Sequence, residues 1–287
     1  MVSDDLAPVL LGLFSALTLA LANTAVKRGG DILSTRAVTQ LTSAALVLPA
    51  VAVVPLPDAA TWQALALALP AHFFYQVCLV RALHRGDLSL VFPVMRGLAP
   101  LLTALGAWVA LGEALSFVTI LGLIAVTGAV LVFAAPARGT ALSRHPDAGA
   151  LLWAVATAVG IALYSVSDAR GVRLAPRAES YIVWLFLLDW IGIVLVNLAM
   201  APDRLKTALR HGWRYGAAAG SLSVLSFGAA LYGMTLTEVA RISALRESAV
   251  VFAALLGWLY LKERLGPRRT LAALALAGGL VLMQFGG

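Results

Sequence analysis

Five charged side chains, Arg96, Arg246, Glu247, Asp189 and Asp168, stand in or at the edge of long apolar stretches of this 287-residue chain, and each raises a chemical question. Arg96 lies about eight residues into the apolar run 88–111, or about 12 Å at about 1.5 Å of rise per residue. Arg246 lies similarly deep in the run 239–261. A charge at the centre of a bilayer costs about 2.5–3.5 kcal/mol on insertion scales, so it normally faces a cavity or a partner. A guanidinium fork suits a carboxylate or a phosphate. Glu247, Asp189 and Asp168 are the candidate internal partners, and an anionic ligand is the alternative. Each arginine could equally lock the fold by satisfying helix-end carbonyls or an internal acid. Asp189 sits midway in its run between Leu188 and Trp190, where it could carry a proton or pair statically with an arginine. Glu247 has the same two readings. It follows Arg246 directly, so the two point to different helix faces.

A second set of polar groups forms stripes. His72, Tyr75, Gln76 and Leu79 fall at i, i+3, i+4 and i+7, and so share one helix face. A polar face in a lipid-embedded helix must look inward. The stripe is expected to line a cavity, with interhelical hydrogen bonding as the plainer reading. Thr157, Ile161, Tyr164 and Asp168 form a comparable stripe, Asn23 and Lys27 stand at i and i+4, and Ser221, Ser226 and Tyr232 are more loosely spaced. The expected ligand-binding set is Arg96, Arg246, His72, Tyr75, Gln76, Asn23, Tyr164 and Tyr232. Asp189, Glu247 and Asp168 are the expected coupling or ion-pairing set.

The elements that must hold these groups follow from composition. Hydrophobic residues make up 61% of the chain and charged residues 12%, too few charges for a soluble surface. Apolar runs fall near 6–26, 37–56, 62–83, 88–111, 116–135, 149–167, 180–200, 213–235, 239–261 and 270–285. A bilayer core about 30 Å thick needs about 20 apolar residues per helix, and most runs meet that length. Lipid cannot satisfy open backbone groups, and the alternation of barrel strands is absent, so the runs read as helices. The expected fold is an all-α integral membrane protein of about ten transmembrane helices, with a single cysteine, Cys78, and no internal disulfide. The acidic start Met1-Val2-Ser3-Asp4-Asp5 argues against a cleavable signal, so the first span is expected to be retained.

The chain also repeats. At an offset of 150, residues 96–133 fall on 246–283 without a gap, matching Arg96 to Arg246, Trp108 to Trp258, Glu113 to Glu263 and Gly128 to Gly278. Earlier the register slips, and Arg28-Gly29 answers Arg170-Gly171. The reading is a duplicated five-span unit: repeats at 1–136 and 148–287, joined by a loop at 137–147. An odd number of spans inverts the second copy, an arrangement typical of secondary transporters with a midplane site between repeats. The inversion would bring Arg96 and Arg246 together. Lys and Arg number 15 in and beside the connections after spans 1, 3, 5, 7 and 9, against 4 after the even spans. That bias puts the first set in the cytoplasm and both termini outside, and it accounts for the net charge of +7 without nucleic acid.

Other features read as architecture. Trp62 and Trp213 open spans as interface anchors. Trp108 and Trp258 are expected to pack. Glu113 and Glu263 end spans 4 and 9 beside the amino termini of the next helices, where the dipole favours a carboxylate. Gly122, Gly128, Gly278 and Gly279 would allow close helix approach, and Pro93 and Pro100 would bend or loosen span 4.

The stretch from Phe92-Pro93-Val94-Met95-Arg96-Gly97-Leu98-Ala99-Pro100 to Leu111-Gly112-Glu113, with its counterpart from Ala244-Leu245-Arg246-Glu247 to Leu261-Lys262-Glu263, resembles the drug/metabolite transporter superfamily, specifically its EamA-type ten-helix members. The second half departs from the first where Gly97 becomes Glu247 and Pro100 becomes Val250, so the two halves of a site need not be equivalent. The resemblance implies a secondary exporter of a small organic metabolite, such as an amino acid or an organic anion, in the inner membrane. A cationic or aromatic drug or metabolite exporter is the alternative. Proton or exchange coupling and a monomer or homodimer are open options, and no cofactor is implied. His72, His84, His145 and His211 are scattered, with no metal-binding or catalytic spacing, so no catalytic or metal residues are expected. No nucleotide-binding loop occurs. A membrane-embedded enzyme is the weaker alternative, and a channel would be told apart by its flux.

Overall fold

The computed structural model describes residues 6–85, 88–134, 148–252, 255 and 267–285. The regular elements among them are helical: α1 (Leu6–Arg28), α2 (Ile32–Val47), α3 (Ala59–Arg85), α4 (Leu88–Leu111), α5 (Phe117–Ala134), α6 (Ala148–Leu174), α7 (Ala178–Met200), α8 (Pro202–Thr207), α9 (Trp213–Leu236), α10 (Val239–Glu247) and α11 (Pro267–Phe285). Six stretches are long and apolar enough to cross a membrane: Leu6–Val26, Ala59–Ala82, Val94–Leu111, Gly149–Leu174, Ala178–Met200 and Pro202–Leu236. α5 adds a shorter apolar stretch, Phe117–Val130. Large apolar side chains such as Leu10, Val109, Leu195 and Leu271 are exposed on these helices, as lipid-facing positions require. The chain is a multi-span all-α membrane protein.

Several boundaries differ from the apolar runs. Run 37–56 becomes α2 at Ile32–Val47 followed by a tight 3₁₀ turn, Leu48–Ala52. The helix starts early because the Asp31 carboxylate accepts the Ser34 N–H at 3.1 Å, and Pro49 opens the turn. α6 continues past 167 to Leu174, with Asp168, the first residue beyond the run, buried and bonded to His72 and Tyr181. Run 239–261 is interrupted at Ser248, whose hydroxyl donates to the Leu245 carbonyl at 2.7 Å while helical backbone resumes at 249–252. The polar stretch 201–212 is itself helical, as α8 followed by a π turn at Ala208–Gly212. α4 runs unbroken through Pro93 and Pro100.

Contacts divide the chain into two compact units that cut across the two halves of the sequence. Unit 1 comprises 1–73 and 167–237, and unit 2 comprises 74–166 and 238–287. α3 therefore belongs to unit 1 through Phe73 and to unit 2 from Phe74, and α6 changes unit between Val166 and Ser167.

In unit 1, α9 packs against α1 and α2, and α2 also packs against α7. Ala37, Val38, Ile193, Val194 and Leu205 form one apolar cluster there. Buried hydroxyls tie the same helices together: Ser226 Oγ donates to the Ser15 carbonyl at 2.7 Å, and Ser43 Oγ donates to the Gly220 carbonyl at 3.1 Å. Arg173 donates to the last carbonyls of α9, Met234 O at 2.7 Å and Thr237 O at 2.9 Å, which suits the negative end of that helix. Asp58 precedes α3 and accepts both the Thr61 hydroxyl at 2.6 Å and the Thr61 N–H at 2.8 Å. These bonds, the hydroxyl's first, hold its carboxyl below the ordinary value of 3.8.

In unit 2, α5 packs against α4 and α11, and α10 packs mainly against α4. A Cβ on Gly279 would lie 3.0 Å from the Gly122 carbonyl and 3.0 Å from the Val126 nitrogen, so this glycine permits close approach of α11 to α5. Gly128 and Gly278 face open space and have no such role among the described residues. Gly112 ends α4 with a left-handed backbone (φ 69°), which a glycine adopts without strain. The turn lets Glu113 accept the Val239 N–H at 3.0 Å. Glu113 thus caps α10. Glu263, Trp258 and the loop 137–147 lie outside the described residues. Trp108 is exposed on α4, where packing was expected, so its indole faces outward.

Candidate functional site

Unit 1 gathers a buried polar cluster around His72 on α3. Its Nε2 lies 2.9 Å from Asp168 Oδ2 on α6, and its Nδ1 lies 3.7 Å from Asp189 Oδ1 on α7. The outer oxygens of both carboxylates are also engaged. The Tyr181 hydroxyl donates to Asp168 Oδ1 at 2.9 Å, and the Gln40 amide on α2 donates to Asp189 Oδ2. Phe227 of α9 sets its ring edge-to-face with the imidazole, at 5.7 Å between centroids. Asp168 and Tyr181 are fully buried, and His72 nearly so. Gly171, one turn along α6 from Asp168, has no Cβ to meet the Tyr181 ring, which leaves room for that ring beside Asp168. The sequence offered Asp168 and Asp189 as candidate partners for the arginines, with a proton-carrying role as the other reading of Asp189. Their partners here are His72, Tyr181 and Gln40.

Unit 2 gathers the arginines. Arg96 Nε on α4 lies 3.3 Å from Glu247 Oε2 on α10, with both side chains largely withdrawn from solvent. Arg246 is buried and stands within electrostatic range of Arg96, Glu247, Tyr164 and Tyr75. Glu247 interacts with both guanidiniums. Tyr75 and Tyr164 meet edge-to-face at 5.3 Å between ring centroids. α10 ends at Glu247, so the Arg246-Glu247 pair sits where the helix breaks. Tyr75 backs onto Gly160, where a Cβ would lie 2.8 Å from the Tyr75 Cα. Nearby, Leu79 joins the apolar cluster of Ala82, Val91, Met95, Ala154 and Ala158.

The sequence-predicted residues therefore divide. The stripe on α3 splits at the unit boundary, with His72 in unit 1 and Tyr75 and buried Gln76 in unit 2. Thr157 turns back on its own helix and donates to the Trp153 carbonyl at 2.7 Å. Asn23 on α1 and Tyr232 on α9 are exposed and join neither cluster among the described residues. Ser226 is spent on Ser15, and exposed Ser221 on the Ala217 carbonyl. Of the expected interface anchors, Trp62 is half-exposed and edge-on to Trp184 at 5.2 Å, and Trp213 is exposed beside Arg214.

Gln40, Tyr181 and Phe227 were not singled out by sequence. Tyr181 stands eight residues before Asp189 in α7, a spacing that shares a helix face and could have exposed it. Gln40 had no comparable signal beyond being an amide within an apolar run. Among the described residues, no group of three His, Cys, Asp or Glu is arranged to hold a metal ion.

A multi-span helical bundle with charged clusters inside its apolar helices defines a class, the polytopic membrane transporters. The profile of the EamA-like transporter family matches residues 6–135 and again 148–285, and the chain belongs to that family. Its members are membrane transporters of the drug/metabolite type. A search of curated proteins gave no match. A solved crystal structure superposes with a TM-score of 0.78 at 19% sequence identity, over 96% of this chain and 95% of its own, a likeness of fold.

Proposed function

We propose that this protein is a secondary-active exporter working by alternating access, and that its substrate is a small organic metabolite with an anionic group held by Arg96 and Arg246. The duplicated family match supports two five-helix repeats, 1–136 and 148–287, which an odd span count would invert. The observation that carries the substrate class is the burial of Arg246 beside Glu247 within apolar helices, with Arg96 Nε 3.3 Å from that same acid. Gathering like charges at depth is costly, and an anionic ligand offsets that cost. Tyr75 and Tyr164 supply ring edges beside the same cluster. The aromatic pair also supports a second reading, an exporter of aromatic or cationic compounds. The energy source on this reading is an ion gradient or exchange and the location the inner membrane, and the excess of Lys and Arg beside the odd-numbered connections supports termini on the non-cytoplasmic side.

The test is a thermal-shift screen of the purified protein against amino acids, organic acids and cationic drugs, followed by proteoliposome flux. A ligand that binds the folded state stabilises it by mass action. An anionic ligand is expected to raise the melting temperature of the wild type and to lose most of that effect in Arg96→Ala and Arg246→Ala. Equal stabilisation of both variants would remove the arginines from the site. Absence of flux for every class would remove the transporter reading.

A further inference from the structure

We propose that His72, Asp168 and Asp189 form a proton-carrying site in unit 1, in which Asp189 gains and loses the proton. This rests on the transporter reading and names its coupling ion. The argument begins with the imidazole. Each ring nitrogen faces a different carboxylate, Nε2 towards Asp168 and Nδ1 towards Asp189. A neutral imidazole has one donor and one acceptor nitrogen, and an ionised carboxylate only accepts. Two ionised acids around a neutral ring would therefore set a nitrogen lone pair against a carboxylate oxygen. One proton beyond that state resolves the clash by making the ring an imidazolium. Three groups then carry a net charge of −1. A second proton brings them to zero, the state least costly to hold within apolar helices.

The geometry also says which acid takes the second proton. The Asp168 contact is short, at 2.9 Å, and the Tyr181 hydroxyl donates to its other oxygen. Asp168 thus accepts from two fixed donors and stays the anchor of the pair. The Asp189 contact is longer, at 3.7 Å, beyond a made hydrogen bond. Gln40 occupies the opposite oxygen, so an added proton goes to Oδ1, facing the ring. The step is a simple protonation: the carboxylate takes H⁺ from one side of the membrane, and the O–H bond breaks to release it on the other. The groups facing this site come from four further helix stretches. α6 presents Asp168 and α7 presents Tyr181 alongside Asp189. α2 presents Gln40, with Arg36 one turn before it, and α9 presents Phe227. The ring lies between its acids, and the three donors do not converge on one point, so the arrangement suits a proton better than a metal ion.

The test is an infrared pH titration of the lipid-reconstituted protein, which needs no substrate. The wild type is expected to show a protonated-carboxyl carbonyl band that titrates and is lost in Asp189→Asn. Gln40→Leu removes the donor to the carboxylate form and is expected to move that band's midpoint to higher pH. It serves as the second variant should Asp189→Asn fail to fold. A wild type without such a band, or a band that survives in folded Asp189→Asn or ignores Gln40→Leu, overturns the proton site. A negative flux screen with the Asp189 band present would support the proton site and overturn only the transporter reading.

Discussion

The carboxylate of Glu113, just past the end of α4, accepts the backbone N–H of Val239 at 3.0 Å and so closes the first turn of α10. One of the four orphan donors of that helix is satisfied by an acid 126 residues away. The placement also complements the positive end of the helix dipole. Glu113→Ala is expected to cost about 1 kcal/mol, as loss of a capping acceptor does, and Glu113→Gln less. Gly112→Ala, which strains the left-handed turn aiming Glu113, is expected to cost about 1–2 kcal/mol. Reversible unfolding in mixed micelles reads both. An unchanged unfolding curve for Glu113→Ala would show that the cap contributes nothing.

The Leu-Gly-Glu ending shows what could and could not be read from residues alone. Its sequence marks the end of a helix and an acid near a helix amino terminus. It does not say which helix, because proximity along the chain favours α5 while the fold brings α10. The same limit applies to the site. Periodicity placed His72 on an inward face and the repeat paired Arg96 with Arg246, yet neither names partners across the fold. Asp168 lies 96 residues from His72, and only packing decides that it meets an imidazole and a phenol. The helix break at Ser248 was hidden for a different reason. Neither proline nor glycine stands beside it, with Arg246 and Glu247 before and Ala249, Val250 and Val251 after, so the residues carry no mark of a change in backbone path.

Gly279 and Gly278 are neighbours in sequence with different surroundings, which makes them a controlled pair. A methyl group at Gly279 would press on the Gly122 carbonyl and the Val126 backbone, which cannot rotate away. Gly279→Ala is expected to destabilise the α5–α11 packing by about 1–3 kcal/mol, the usual cost of overpacking. Gly278→Ala meets open space and is expected to be neutral or slightly stabilising. Equal effects in micelle unfolding would mean that the two helices do not approach through Gly279.

Asp58 gives a pH dependence with a definite sign. The Thr61 hydroxyl and N–H lower its folded value below the ordinary 3.8. A group depressed on folding stabilises the fold above its unfolded value, and that contribution fades as pH falls through the folded value. Wild type is therefore expected to melt above Asp58→Ala near neutral pH, with the gap closing on acidification below about pH 4. A gap that stays constant through the acid range would mean that the carboxylate charge is not what caps α3.

Glu247 is expected to be the most sensitive residue of the arginine cluster. It lies 3.3 Å from Arg96 and also interacts with Arg246. Removing Arg96 leaves Glu247 facing its remaining arginine, so Arg96→Met keeps one attraction. Removing Glu247 leaves two guanidiniums repelling each other at depth, and breaking a buried pair in this way costs about 3–5 kcal/mol. Glu247→Gln is therefore expected to unfold at a lower denaturant concentration than Arg96→Met. An added anionic ligand should restore Glu247→Gln more than it stabilises the wild type, because it replaces the missing charge. If Arg96→Met is instead the less stable variant, or if ligand rescue of Glu247→Gln fails while ligand still binds wild type, the acid does not bridge the two arginines.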